Sequence, residues 1–416
     1  MKNIVVIGGG FAGLWSAVGA ARKLDELNVP ESEVKVTLID QNEFHSIRVR
    51  NYENDLDISV IPFSKVLDPI NVAHIKGKVV GLDLAQQTVE IDTTGGVQRV
   101  AYDKLVYALG SHVQRPPIAG LAEHSFDVDS QLGARRLEKH LKSLPTSTHG
   151  NEKYTALVVG AGLTGLEIAC ELPGRLAAIR AEANGTEPIH VIVADASSTI
   201  GSDMGAQACA VIDRSLQSLG VETRTGVAIT SVDTAGVTLA NGQRISAATV
   251  IWCAGMRAND LGRSLPVEKD RLGRVAVDEF MRVKGLNNVY AAGDVAWAVL
   301  DGTHSSVMSC QHGRPMGRYA GHNVAADIMG KPLLPLLIDW YTTILDLGPS
   351  GAVYTMGWDR QVVATGDVAK QTKHTINSQR IYPPLTGNRK EILAAAAPTI
   401  QAPPEIKQKE HDSEAV

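Results

Sequence analysis

The chain opens on the apolar run Ile4-Val5-Val6-Ile7, breaks at three glycines, and resumes with helical spacing in FAGLWSAVGAARKL. A short apolar run bounded by glycine predicts a strand buried on both faces, and apolar positions three and four apart predict a helix. The polar stretch LNVPESE then leads into a second apolar run, VKVTLID, that ends on Asp40. Strand, glycine turn, helix and strand make one βαβ unit, whose crossover requires parallel strands. The pattern returns after residue 150 as TALVVGAGLTGLEIACEL followed by HVIVADA, which ends on Asp195. KLVYALG (104–110) and TVIWCAG (249–255) are a matching pair of buried strands with glycine stops. The repeat is therefore of a large supersecondary unit, not of a short solenoid motif.

Other segments fill in the outline. Residues 57–100 hold short β-like runs, and residues 130–150 predict a helix followed by the polar connector PTSTHGNEK. NNVYAAGDVA (287–296) predicts one more strand, ending on Gly-Asp, and residues 311–329 predict a helix. The fold class is α/β: two Rossmann-like dinucleotide-binding domains plus a small C-terminal α+β segment. We place the first domain at 1–128 and 285–330, the second at 150–284, and the C-terminal segment at 331–397. The Pro/Glu/Lys-rich stretch 398–416 is expected to be disordered.

Composition narrows the class. With 416 residues, 44% hydrophobic and 20% charged, the chain is an ordinary globular protein of two to three domains. A net charge of -5 leaves no basic excess to neutralise nucleic-acid phosphates. The four cysteines are far apart in sequence, so neither a disulfide framework nor a zinc spacing is present, and a reducing cytosol is expected. No signal peptide is expected at the N-terminus. Residues 332–347, PLLPLLIDWYTTILDL, are the longest apolar-rich stretch, too short and too interrupted to span a bilayer. We expect them to bury against the protein or a second subunit. A monotopic membrane foot fits less well, because few Lys or Arg residues flank them.

The candidate chemistry lies at the glycine turns. Gly8-x-Gly10-x-x-Gly13, with Phe11 and Ala12 between, follows a strand and opens a helix. The first glycine permits the tight turn, the second lets a pyrophosphate approach, and the third allows the helix to pack on the strand. Asp40, at the end of the second strand, is placed to accept ribose hydroxyls. Gly160-x-Gly162-x-x-Gly165 with Asp195 repeats the arrangement. Two copies imply two dinucleotides, and an acid at Asp195 favours NADH over NADPH by repelling a 2′-phosphate. An ordinary strand-end aspartate is the alternative there. Gly293-Asp294 closes the strand at 287–296.

This order of motifs resembles the two-dinucleotide-binding-domain flavoproteins of the pyridine nucleotide-disulfide oxidoreductase superfamily, over most of residues 1–330. The resemblance implies FAD at the first cradle, NADH at the second, and Asp294 as an FAD ligand. By position it adds Ala108, Leu109, Gly110, Ala254 and Gly255 to the cofactor contacts. The segment QNEFHSIRVRNYEN lacks the CxxxxC of the disulfide reductases. Asp40-Gln41-Asn42-Glu43-Phe44-His45, the GAGLTGLE run and Cys310-Gln311 resemble type II NADH dehydrogenases, the single-subunit NADH:quinone oxidoreductases. That likeness implies Gln41, Asn42 and His45 near FAD, Glu167 near the flavin and quinone, and Gln311 near the acceptor. Glu167 and His312 are the titratable candidates for supplying protons to a quinone-like acceptor. A flavin-positioning carboxylate and a solvent-facing histidine are the plain alternatives. Arg48 and Arg50 are candidates for FAD phosphate or acceptor contact, with a solvated loop as the alternative.

The sequence also departs from that family. Pro315 stands where the family's quinone motif has a second Gln, and Cys310 stands where it has Ala. The C-terminal amphipathic anchor is not evident. The resemblance implies a cytoplasmic or peripheral inner-membrane enzyme, with homodimers common in the family. Two rival functions are a soluble NAD(P)H-dependent reductase of a ferredoxin-like protein and a low-turnover NADH-sensing flavoprotein.

Overall fold

The computed structural model describes residues 1–147 and 150–406. In chain order the elements that build the site are β1 (Lys2–Ile7), α1 (Phe11–Glu26), β2 (Val34–Asp40), β3 (Ala73–Lys76), β4 (Lys104–Tyr107) and α2 (Gln131–Ser147). Then come β5 (Tyr154–Val159), α3 (Leu163–Glu182), β6 (Ile189–Ala194), β7 (Val221–Arg224), β8 (Thr249–Trp252), β9 (Val289–Ala291) and α4 (Cys310–Ile328). After these come β10 (Thr342–Asp346), β11 (Ala352–Met356), β12 (Gln361–Thr365) and α5 (Gly366–Thr375).

Two parallel sheets carry the repeat. The first has the order β9-β4-β1-β2-β3 and the second β7-β6-β5-β8. In register they match: β1 pairs β2 from Lys2↔Val34 to Ile7↔Ile39, and β5 pairs β6 from Tyr154↔Ile189 to Val159↔Ala194. Ile4, Val5, Val6 and Ile7 are buried, as a strand covered on both faces requires, and each contributes about 2 kcal/mol by leaving water. A three-stranded antiparallel sheet is inserted in each half, at 78–101 and 229–246. The short ribbon Ser111–Val113 with Met256–Ala258 joins the halves where the chain leaves β4 and β8.

Helices α1 and α4 run in parallel at very close range. A Cβ on Gly317 would sit 2.3 Å from the Ala12 carbonyl oxygen, and one on Gly321 2.2 Å from that of Ser16. Glycines four apart share a helix face, so the sequence supplies a flat stripe on which α1 lies. Both helix N-termini consequently point to the same end of the first sheet.

Some elements differ from the sequence expectation. Helix α2 runs through Pro145, into the first residues of the expected polar connector. Buried Leu141 and Leu144 hold its last turn against the second domain, offsetting the backbone bond that proline cannot make. Of the apolar stretch 332–347, Leu336 and Ile338 are buried, their amides bonded to the carbonyls of Glu279 and Leu300. Its end forms β10, and Leu337 faces out. Among the described residues, no helix is long and apolar enough to cross a membrane. Residues 398–406, assigned by composition to a disordered tail, lie on the C-terminal segment: Tyr354 donates to the Pro404 carbonyl and Arg380 to that of Ala402. The rest of that expected tail, 407–416, lies outside the described residues.

Candidate functional site

The two glycine turns have the same construction. Gly8 and Gly160 adopt φ +95 and +102, a left-handed conformation that glycine reaches without a Cβ penalty. Each following amide donates to the aspartate of the next strand: Gly9 N to Asp40 Oδ2 and Ala161 N to Asp195 Oδ2, both at 2.6 Å. The second carboxylate oxygen accepts the Asn42 amide in one turn (2.8 Å) and the Ser197 amide in the other (2.7 Å). Each aspartate therefore braces its own turn while keeping lone pairs for ribose hydroxyls. Burial raises the pKa of Asp40 despite these bonds. At Asp195 the bonds outweigh burial, and its pKa is lowered. A Cβ at Gly10 or Gly162 would meet nothing within 4 Å, so each cradle is open on the side a pyrophosphate would approach.

The first cradle opens on a cavity. Gly10, Phe11 and Ala12 form its floor, with Ala108 and Gly110 at the end of β4, and Gly293 and Asp294 after β9. Asp294 accepts the Ser111 hydroxyl at 2.6 Å and lies 3.6 Å from Arg48. Arg48 also bonds Ser111 and pairs with Asp129. The opening of α4, at Ser309, Cys310 and Gly313, faces the same space, and the Ser309 hydroxyl caps the helix by accepting the His312 amide. Two helix N-termini thus aim partial positive charge into one cavity. Thr164, in the first turn of α3, and Met256 also line it, so both dinucleotide halves reach this space. The open cradle, the paired helix ends and the polar wall of Ser111, Arg48 and Asp294 fit an FAD.

A second cavity adjoins the first, and Cys310 lines both. Gln311 lines the second cavity only, its amide facing both backbone groups of Thr342 on β10 (2.7 and 3.3 Å). Burial raises the Cys310 thiol, which fits a packing residue better than a nucleophile. Behind it lies a buried ion pair, Glu167 on α3 with Lys373 on α5, at 2.6 Å. Glu167 also accepts the Asp346 amide at 3.2 Å, and Lys373 donates to the Ile344 carbonyl at 2.9 Å. Burial pushes Glu167 above the ordinary carboxylate value, although Lys373 opposes the shift.

Three sequence candidates sit differently from expectation. His312 is fully buried instead of facing solvent or an acceptor: its Nδ1 accepts the Val307 amide at 2.9 Å, pinning the loop before α4. His45 is buried under the first turn, with Nδ1 2.9 Å from the Gly9 carbonyl and its ring edge-on to Phe11. It shapes the cradle from behind. Arg50 pairs with Glu53 and Tyr382. Gln41 is exposed beside the first cradle. Leu109 packs against the core, and its Cα would lie 2.9 Å from a Cβ on Gly8. Ala254 and Gly255 follow β8, where the Ala254 amide would lie 2.8 Å from a Cβ on Gly160. Sequence reasoning missed Gly9, Ser111, Asp129 and Lys373. Gly9 and Ser111 border recognised motifs, whereas Asp129 and Lys373 carry no local signal.

The buried histidines make a pH prediction. Burial holds His45 and His312 at pKa values of about 4, against 6.5 when free. A base depressed on folding leaves stability intact above pH 6.5 and removes it as pH falls toward 4, because the unfolded chain takes up more protons. Each histidine costs on the order of 3 kcal/mol at the acid end. Thermal melts should show Tm falling across this window, with a shallower fall for His312→Gln. Equal slopes for wild type and variant would contradict the assignment.

The sequence profile described as pyridine nucleotide-disulphide oxidoreductase matches residues 2–317. An NADH dehydrogenase-like protein of Mycobacterium tuberculosis is 54% identical over 97% of this chain and 100% of its own length. A type II NADH:quinone oxidoreductase of the same organism is 29% identical, covering 79% of this chain and 73% of that one. Among solved structures, NDH2 from Plasmodium falciparum superposes with a TM-score of 0.77 at 14% identity, covering 95% of this chain and 97% of that one; this likeness concerns the fold.

Proposed function

Because the chain belongs to the pyridine nucleotide-disulphide oxidoreductase family, we propose that it oxidises NADH with FAD and passes the electrons to a quinone-like acceptor. The reading needs no redox-active disulfide, since the segment QNEFHSIRVRNYEN carries no cysteine. The observation that carries the reading is the single cavity reached by both dinucleotide halves, with a second cavity behind Cys310. The 54% identical relative is named for NADH dehydrogenase, and a more distant one for NADH:quinone oxidoreduction.

Bound FAD supplies a two-electron relay between nicotinamide and acceptor. The amides of residues 8–13 and the start of α1 hold its pyrophosphate, Asp40 holds a ribose, and Ser111, Arg48 and Asp294 hold the polar chain near α4. The turn at 160–165 holds NADH, with Asp195 on its adenosine ribose. The start of α4 stabilises negative charge at the far wall of the cavity. Gln311 orients the acceptor, and the buried Glu167–Lys373 pair behind Cys310 is the titratable group that relays a proton toward it.

Steady-state NADH oxidation against a panel of quinones, a ferredoxin and oxygen tests this reading. We expect quinones to be the fast acceptors and Gln311→Ala to lower quinone turnover by roughly tenfold. Turnover with ferredoxin alone, or flavin reduction without reoxidation by any quinone, would replace the reading with a ferredoxin reductase or an NADH sensor. Asp195→Ala should narrow the NADH-over-NADPH preference in kcat/KM by roughly tenfold, as loss of charge repulsion predicts. An unchanged ratio would leave Asp195 only its turn-bracing role.

A further inference from the structure

The wall of the second cavity farther from Cys310 carries three arginines, Arg314 and Arg318 from α4 and Arg380 from the segment after α5. Arg314 is 7% exposed and Arg318 4%. Charged groups this deep are normally paired. Here Arg318 makes no side-chain hydrogen bond or ion pair with any described residue, and its Nε is buried without a partner. Arg314 has one long contact, 3.5 Å to Gln401 Oε1, and its Nε is also unpartnered. Arg380 donates to the Ala402 carbonyl. Burial pulls Arg314 down to about 9, helped by the charge of Arg318, and Arg318 down to about 10, helped by that of Arg380. Both stay charged at neutral pH. No described carboxylate contributes to holding any of the three. The Trp15 ring, 4.5 Å from Arg318 and 5.5 Å from Arg314, offers a cation–π surface, which offsets only part of the desolvation of two guanidiniums.

The remaining wall is largely apolar, with Ile338, Trp340, Ile376 and Ile400, and carries the polar Thr342, Thr399 and Gln401. Cys310, Arg314 and Arg318 recur every four residues on one face of α4, so the Cα atoms of the two arginines stand about 6 and 12 Å along the helix from that of Cys310. We propose that this cavity takes a flat organic anion, an acceptor carrying an acidic group on or near its ring. The acid lies against Arg314, Arg318 and Arg380, and the ring against Gln311 and Cys310. The proposal rests on the reading that this cavity receives the electron acceptor, and it adds that the acceptor is charged.

Titration of the FAD-loaded enzyme with 2-naphthoate and with neutral 2-naphthamide, followed by tryptophan fluorescence or calorimetry, tests the anion preference without turnover. We expect naphthoate to bind at least tenfold more tightly. Arg318→Gln and the half-buried Arg380→Gln should each cut that ratio at least fivefold, with a melt of each variant to verify folding. In turnover, 1,4-naphthoquinone-2-sulfonate should show a lower KM than neutral menadione, and naphthoate should compete with both. Equal binding of acid and amide, or a ratio unchanged in both variants, overturns the proposal. Selective naphthoate binding without reduction of either quinone supports the anion site and overturns the acceptor reading. Equal binding with brisk menadione turnover does the reverse.

Discussion

Gly165→Val is expected to yield a yellow, folded protein whose flavin NADH reduces far more slowly, while Gly13→Val is expected to yield protein without FAD. A Cβ at Gly165 would stand 1.9 Å from the Gly160 carbonyl oxygen, and one at Gly13 would stand 1.6 Å from that of Gly8. Both obstacles are backbone, so no side chain can swing away. The helix must lift off its strand, the turn amides lose their aim, and the pyrophosphate loses its site. Overpacking of this kind costs roughly 1–3 kcal/mol or more. The larger effect is functional, because each cradle serves one nucleotide. We expect NADH-dependent flavin reduction in Gly165→Val to fall by on the order of a hundredfold, since about 3 kcal/mol of positioning is lost. Gly13→Val also disturbs the packing of α1 on α4, so a lower Tm should accompany its loss of flavin. If Gly165→Val were reduced at the wild-type rate, the second cradle would not be the NADH site.

Lys373→Met is expected to be the most destabilising single change near the acceptor cavity. It strands the Glu167 carboxylate, which is buried with only the Asp346 amide left to answer it. Removing one member of a buried ion pair costs roughly 3–5 kcal/mol. In a chain of this size that lowers Tm by roughly 5 °C. The defect should depend on pH with a definite sign. Burial already raises Glu167, and loss of Lys373 raises it further. A carboxyl raised on folding favours the folded state at low pH and loses that contribution as pH rises through its folded value. The Tm deficit should therefore shrink near about pH 5 and grow near about pH 8. The double variant Lys373→Met with Glu167→Gln should recover much of the loss, because no charge is then stranded. A deficit independent of pH and of Glu167 would show that Lys373 matters for packing alone.

Much of the architecture was legible locally. Each parallel sheet is announced by apolar runs too continuous for a one-sided strand, and each cradle by three glycines whose spacing admits a turn, a ligand and a helix. The strand in NNVYAAGD could be read from its apolar core, whereas its return to the edge of the first sheet beside β4 went with the family resemblance. Helix α2 was seen, but its end was misplaced, because the connector's composition gave no hint that Leu141 and Leu144 would hold the last turn against the second domain. The chemistry around the cavities was less legible. Arg48 was singled out without its partners, because Asp129 lies 81 residues away and pairing across that distance leaves no periodic trace. His312 looked titratable until burial made it neutral, and Glu167 gained a partner 206 residues downstream.

By itself, then, the amino-acid order determined the two nucleotide cradles, their strands and their helices, because glycine turns and apolar runs act over neighbouring residues. Only the tertiary structure decided which charges meet. It set Lys373 beside Glu167, left Arg314 and Arg318 without acids among the described residues, and joined two cavities at Cys310. Desolvation and ion pairing depend on what the fold brings near a group, and that is fixed by packing between distant segments.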